Sequence, residues 1–430
     1  MALETQDLPS ETSWSVHEVS IPVRKSTYKG GKHLGFHRWF RLTPSFGPHL
    51  VQHLLGKLGA TGKSIVLDPF CGAGTTPIEC KRQGLEAYGI EINPILQFVG
   101  QQSLMWQHNP ESLRIALGRL KRRFQKSRRR LKGLSFEEAK LEMPPIHRVE
   151  RWWRKDVLKD LLILKQSISS GRLAQEGERD FFKLALAAVL VPDLTNVTLG
   201  RLQLHFVDRD HDEINVWKTF EERVQLMIAD LDELEPEKRV TKQKVYRADS
   251  TKLDPQDYDW RADLVITSPP YPNRYSYVWN TRPHLYMLDY ITAKNEAGIL
   301  DNQTVGGTWG AATTRLKKGV IEPAYPIIDL LISPLAERIR ETDNLMANYL
   351  MKYFNLLARQ LIAMDPLLRN KAKIAYVVGN SWLKGVYIET DTLLARLFEG
   401  LGYGVDGVER FRRRNSGKDL FESIVYAHKV

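Results

Sequence analysis

Short apolar runs alternate along this chain with longer stretches whose apolar residues recur every three or four positions. The first pattern predicts buried strands and the second predicts amphipathic helices. Ser64 to Phe70 reads as a strand, and Glu86 to Ile92 as a second. Lys244 to Ser250, Ala262 to Thr267 and Lys373 to Val378 read as the third, fourth and fifth. Tyr403 to Phe411 and Phe421 to Ala427 form a closing pair. Helical spacing links Leu50, Val51, Leu54, Leu55 and Leu58, with Ser45 as a cap. It recurs from Thr76 to Arg82, from Phe181 to Val191 ahead of Pro192, and through Leu345, Tyr349, Phe354, Leu357 and Leu361. Thr390 to Glu399 predicts a last helix, begun by a Thr or Asp cap.

The pattern also sets boundaries. Residues 1–35 are a polar, irregular N-terminal arm. Residues 36–104 and 241–271 carry the first four strands, and 344–430 the remainder. Two stretches are surplus. Residues 105–240 look mostly helical, and 272–343 follow the fourth strand. Asp230 to Glu235 reads as an exposed acidic run, and Gly306 to Gly310 as a flexible one.

Composition narrows the partners. The net charge of +11 over 430 residues points to a polyanion. Eight of the twelve residues Lys121–Lys132 are basic, so Arg128, Arg129 and Arg130 are candidates to track phosphates. Arg412 and Arg413, in the basic turn Arg410–Lys418, are further candidates. The two cysteines, Cys71 and Cys80, form no CxxC pair, which argues against a cysteine-based zinc site and fits a reducing compartment. No metal site is expected. No apolar run reaches transmembrane length, and no signal-peptide pattern opens the chain.

Two stretches carry chemistry. The first strand runs into Cys71-Gly72-Ala73-Gly74-Thr75-Thr76 and then a helix. Strand, glycine loop and helix let a ligand approach backbone N–H groups. The loop lacks the GxGxxG spacing and a Walker lysine, and Asp68 before it disfavours phosphate and suits a cation. Glu91 ends the second strand, where an acid can grip ribose hydroxyls. The other stretch is Thr267-Ser268-Pro269-Pro270-Tyr271, at the end of the fourth strand. Neither proline donates to a sheet, so Ser268 and Tyr271 sit on a stiff bend at the ligand-binding end. The Ser268 hydroxyl and nearby carbonyls can accept from an exocyclic NH2, and Tyr271 can stack on a flipped base. Asn273, Arg274 and Tyr275 follow directly and lie near that base by connectivity.

Together, Asp68 to Thr76 and Thr267 to Tyr271 resemble the DNA amino-methyltransferases, the Ser-Pro-Pro-Tyr form being most typical of N4-cytosine enzymes. The resemblance implies an α/β fold with a doubly wound, seven-stranded Rossmann-like sheet, an antiparallel last strand and a mostly helical insertion. It implies an S-adenosylmethionine site lined by Asp68, Phe70, Gly72, Gly74 and Glu91, with Phe46 at the methionine end and Asp249 on the adenine amine. Thr75, Thr76, Asn93 and Thr267 are assigned to the same site. Ser268, Pro269, Pro270 and Tyr271 would then direct methyl transfer to a cytosine N4 amine of duplex DNA, in line and without a covalent enzyme intermediate. A C5-cytosine mechanism needs a cysteine nucleophile, and no Pro-Cys dipeptide occurs. An N6-adenine DNA enzyme, a guanine-N2 RNA enzyme and a catalytically idle nucleic-acid-binding subunit stay open. The resemblance further implies a prokaryotic cytoplasm and leaves open a cognate restriction endonuclease as a partner. The glycine loop precedes the catalytic loop here, whereas many Ser-Pro-Pro-Tyr enzymes have the reverse order.

Overall fold

The computed structural model describes residues 12–21, 27–31, 33–42, 45–170, 176–200, 203–235, 242–308, 311–414 and 420–430. Eight strands build one sheet: β1 (Val16–Glu18), β2 (Ile65–Asp68), β3 (Glu86–Glu91), β4 (Gln243–Arg247), β5 (Ala262–Thr267), β6 (Leu368–Gly379), β7 (Tyr403–Arg413) and β8 (Phe421–Lys429). Their spatial order is β1-β7-β8-β6-β5-β2-β3-β4. β8 runs antiparallel to both neighbours, and the other pairings are parallel. The chain moves outward from β2 to β4 and then crosses back to β5. The switch point therefore lies between β2 and β5, where ligands of doubly wound sheets bind.

Both faces of the sheet are covered, as strand alternation requires. On β5, Leu264 and Ile266 join Leu50, Val51, Leu54 and Leu55 of helix α1 (Pro48–Leu58), while Val265 joins the opposite cluster. On β6, Ala375 and Val377 face α1, while Ile374, Tyr376 and Val378 pack with α2 (Asn344–Met364). Asp343 caps α2 by accepting from Met346 N at 3.1 Å. The region between β3 and β4 holds helices Pro110–Arg130, Lys155–Ser169, Glu176–Leu190 and Val216–Asp232, together with a small hairpin, Val197–Leu199 and Leu204–Phe206.

The sheet has one strand more than expected. β1, drawn from the polar arm, pairs with β7 (Val16 opposite Val408). All three of its side chains are exposed. Backbone bonds hold it, Val408 N to Ser15 O at 3.0 Å and Val19 N to Arg410 O at 2.9 Å. An edge strand held this way leaves no apolar alternation to read. Asp230 is not exposed either. It is buried and accepts from Phe36 N and Trp39 Nε1 and from the Arg38 guanidinium, which ties the arm side of the core to the last insertion helix. Ser45 caps nothing, since Gly47 starts α1 and the Ser45 hydroxyl donates to Leu42 O. The helix Thr390–Gly400 starts after Glu389 without a side-chain cap. Its Asp391 instead receives Arg410 Nε and Ser423 Oγ. Trp309 and Gly310, residues 415–418 of the basic turn, and Thr43 and Pro44 lie outside the described residues. Among those described, no helix is long and apolar enough to cross a membrane.

Candidate active site

The loops leaving β2 and β5 meet over the switch point and wall a cavity of about 480 Å³. That volume falls in the range of ligand pockets, roughly 300–1,000 Å³. Phe46, Phe70, Gly72, Thr75, Glu91, Asn93 and Asp249 line it, and so do Ser268, Pro270, Tyr271, Asn273, Tyr275 and Arg412. The two separately read motifs thus line one cavity.

Gly72 and Gly74 adopt φ of +54° and +94°, a region that strains side-chain-bearing residues. A Cβ on Gly72 would point at Leu42, itself on the wall. The need at Gly74 is different. Its Cβ would lie 3.1 Å from Gly100 Cα, so this glycine lets the loop pack on the helix Pro94–Gln102 rather than admitting a ligand. Gly89 plays a similar part, because a Cβ there would sit 2.4 Å from Cys71 Sγ.

Two carboxylates set the electrostatics. Asp68 is buried just beneath the wall. Its Oδ1 accepts from Thr267 Oγ1 at 2.5 Å and Phe70 N at 3.1 Å, while Oδ2 has no partner. Burial pushes its carboxyl up to about 6. Glu91 lies on the wall and accepts from Gly72 N and Asn93 N, both at 2.8 Å. Burial pushes it up to about 7 against those two bonds. A cation or a set of hydroxyl donors in the cavity would favour ionisation of both. Asp249 sits two residues past β4. Its Oδ1 accepts from Thr251 N and Oγ1, and Oδ2 lies 3.3 Å from Lys252 Nζ.

On the opposite side, the Ser268 hydroxyl donates to Val377 O at 3.0 Å, which leaves its lone pairs as acceptors. Tyr353 Oη donates to Pro270 O at 2.8 Å, and Arg274 N, at a φ of +63°, donates to Tyr349 Oη at 3.2 Å. Both tyrosines come from α2, so one helix braces the bend at two points. The Tyr271 ring packs against Gly379, where a Cβ would approach its Cδ2–Cε2 edge to 2.7 Å.

Several expected residues serve the wall without forming it. Pro269 is buried and off the wall. Thr76 donates to Ile266 O at 3.3 Å, strapping the glycine-loop helix to β5, and Thr267 orients Asp68. Asn93 touches the cavity, but its side chain caps the helix Pro94–Gln102 and donates to Thr281 Oγ1. Arg412 is not free for phosphate, since it forms an ion pair with Glu422 on the wall. Arg413 is exposed and lies 3.8 Å from Glu18. Arg128 is exposed and paired to Asp160 at 2.9 Å, and neither it nor Arg129 or Arg130 reaches the cavity.

The wall also includes Tyr277, Thr304, Val305 and Glu422, which motif reading missed. Tyr277 had one cue, an aromatic two residues beyond Tyr275. Glu422 had none, because it arrives through the sheet register opposite Gly379. Among the described residues no group of His, Cys, Asp and Glu can hold a metal, and both cysteines are buried and free.

A DNA methylase family model matches residues 2–97, which span the glycine loop and Glu91. The type II methyltransferase M.MvaI of Kocuria varians is 24% identical over 372 residues, 82% of this chain and 78% of its own length. M.AvaI of Anabaena variabilis is 23% identical over 426 residues, 91% of this chain and 84% of its own. M.BsoBI of Geobacillus stearothermophilus is 24% identical over 295 residues, 62% of this chain and 54% of its own. Among solved structures, TrmN from Thermus thermophilus aligns at 12% identity over 92% of this chain and 52% of its own, with a TM-score of 0.31. That score is too low to add to the fold read from the strand order. The similarity to type II methyltransferases thus extends over most of the chain.

Proposed function

We propose that the protein methylates the N4 amine of cytosine at specific sites in duplex DNA. In coarser terms it is a DNA methyltransferase that uses S-adenosylmethionine. The residues present fit that cofactor. Asp68 carries an orphaned buried oxygen, Oδ2, under the wall. Phe46, Phe70, Tyr275 and Tyr277 line the cavity, and aromatic rings there suit a cation. In this reading Glu91 would hold the ribose hydroxyls, Asp249 the adenine amine, and Asp68 the cationic end beside Phe46. When bound, the cofactor supplies a sulfonium methyl group open to direct attack by an amine nitrogen.

The observation that carries the reading is the Ser268 hydroxyl. Ser268 lines the cavity and its hydroxyl donates to Val377 O, so what it can offer a ligand there is its lone pairs. A flipped base would donate its amine hydrogens there, which orients the nitrogen and localises its lone pair. Tyr271, seated on Gly379, offers a ring for that base. Asn273 and Tyr275 flank it. The chain's contribution is positioning and exclusion of water, and no side chain forms a bond to the base.

Methyl transfer from labelled S-adenosylmethionine to duplex DNA and to bulk RNA, followed by nucleoside mass spectrometry, tests the proposal. N4-methylcytosine in DNA is expected. N6-methyladenine would overturn the base assignment, and label in RNA alone would overturn the substrate.

A further inference from the structure

Arg282 contrasts with six half-buried arginines that are held by carboxylates. Arg38, Arg154, Arg209, Arg396, Arg410 and Arg412 each face a carboxylate. Among the described residues Arg282 faces none. Its guanidinium stacks 3.0 Å from the Trp279 ring centroid and lies 5.0 Å from that of Trp152. Its one hydrogen bond runs from Nε to Trp279 O at 3.1 Å. Among the described residues neither terminal nitrogen has a protein acceptor, and neither is a buried orphan. Burial lowers the guanidinium to about 9, so the charge is held at a cost that no carboxylate offsets.

The stack continues outward. Phe206 packs edge-on against Trp152 at 5.0 Å, and Arg151 lies 4.3 Å over Phe206. Phe206 is 42% exposed. The result is a row of alternating cations and rings that joins the helical region, its small hairpin and the segment after the catalytic loop. Its inner end is close to the cavity along the chain. Tyr277 lines the cavity two residues before Trp279, and Thr281, next to Arg282, accepts from Asn93, which also lines it. A planar fork packed on a ring, with its outer nitrogens open, suits the paired oxygens of a phosphate.

We infer that Arg282, packed on Trp279 and near Trp152, binds a backbone phosphate of the DNA beside the target nucleotide. The inference rests on the proposed DNA methylation and adds the residue that seats the strand. Phosphate contact fixes the register of the duplex over the cavity without reading a base. Its loss is therefore felt alike at every sequence.

The test is Arg282→Gln, with Arg282→Lys as the charge-retaining variant. Binding to sheared duplex DNA would be measured across a salt series, and DNA KM and kcat with unmethylated phage DNA. For Arg282→Gln, the slope of log affinity against log salt should shrink by about one. DNA KM should rise about three- to tenfold, with kcat and cofactor affinity unchanged. Arg282→Lys should recover most of the slope. An unchanged slope and KM in folded Arg282→Gln, with wild type methylating DNA, would overturn this inference alone. Wild type that neither binds nor methylates DNA would overturn the proposed function as well. Should Arg282→Gln not fold, arginine modification of the wild type by phenylglyoxal decides. Arg282 should react in the free protein and be protected by duplex DNA but not by S-adenosylmethionine. Continued reaction under saturating DNA would overturn the assignment.

Discussion

Removing the Ser268 hydroxyl is the sharpest perturbation of the proposed chemistry. Ser268→Ala deletes a cavity-lining hydroxyl that donates to Val377 O at 3.0 Å and, in the proposed reading, accepts from the target amine. Two costs follow, and they separate. The first falls on the fold. Val377 O loses a side-chain donor but keeps its place in β6, in register with Ile424 of β8. A neutral hydrogen bond of this kind contributes about 0.5–1.5 kcal/mol, too little to unfold the sheet. The second falls on the reaction. The target amine loses an acceptor whose bond strengthens as its nitrogen gains positive charge. Loss of a preorganised group at a site of developing charge typically lowers kcat by about 10²–10³, near 3–4 kcal/mol. The cofactor contacts assigned to Glu91, Asp68 and Asp249 are untouched, so its affinity should hold. Single-turnover transfer of labelled methyl to DNA, at saturating cofactor and DNA, reads the second cost. Calorimetry with S-adenosylmethionine controls for the first. Full single-turnover rate in the variant would remove Ser268 from the mechanism. Equal loss of cofactor affinity and rate would show that the hydroxyl only supports the fold.

Three further outcomes follow from the same geometry. Asp68 and Glu91 have carboxyls raised to about 6 and about 7 by burial. Their contribution to stability without ligand is therefore fully present near pH 4 and lost as pH rises through 6 and 7. A cationic ligand prefers both ionised, so the rise in melting temperature on adding S-adenosylmethionine should grow from pH 5.5 to 8, and Glu91→Gln should flatten its upper part. A ligand shift independent of pH would rule these carboxylates out as partners. Gly379→Ala places a Cβ 2.7 Å from the Tyr271 ring. Displacing that ring should slow DNA methylation at least tenfold, about 1.4 kcal/mol, while calorimetric cofactor affinity stays, and wild-type turnover would refute a role for the ring's seat. Reversing charge at Arg128, Arg129 and Arg130 should lower the salt slope of DNA binding if the helix tracks phosphates, and an unaltered slope would make it a solvated face.

Much of the site was legible in the sequence because its parts are local. A strand ran into a glycine loop and then a helix, and the prolines after Ser268 ended a strand. Both facts belong to residues within a few positions of each other. The division of labour inside the motifs was not legible. Gly74 is fixed by a contact with Gly100, Thr76 by a carbonyl of β5, and Asn93 by the cap of its own helix. A motif marks a position as constrained but does not say which neighbour constrains it.

The sequence by itself determined the strand and helix succession of the sheet core, the glycine loop, the Ser-Pro-Pro-Tyr bend and the acids ending the early strands. Periodicity and turn chemistry are set by adjacent residues. Only the tertiary structure decided which distant groups share the cavity. Thr267 meets Asp68 across 199 positions, the Tyr271 ring rests on Gly379, Arg412 and Glu422 close the wall as an ion pair, and β1 joins the edge of the sheet. Such contacts arise from the register of strands far apart in the chain. Their energy depends on the folded distance, which neither residue's neighbours encode.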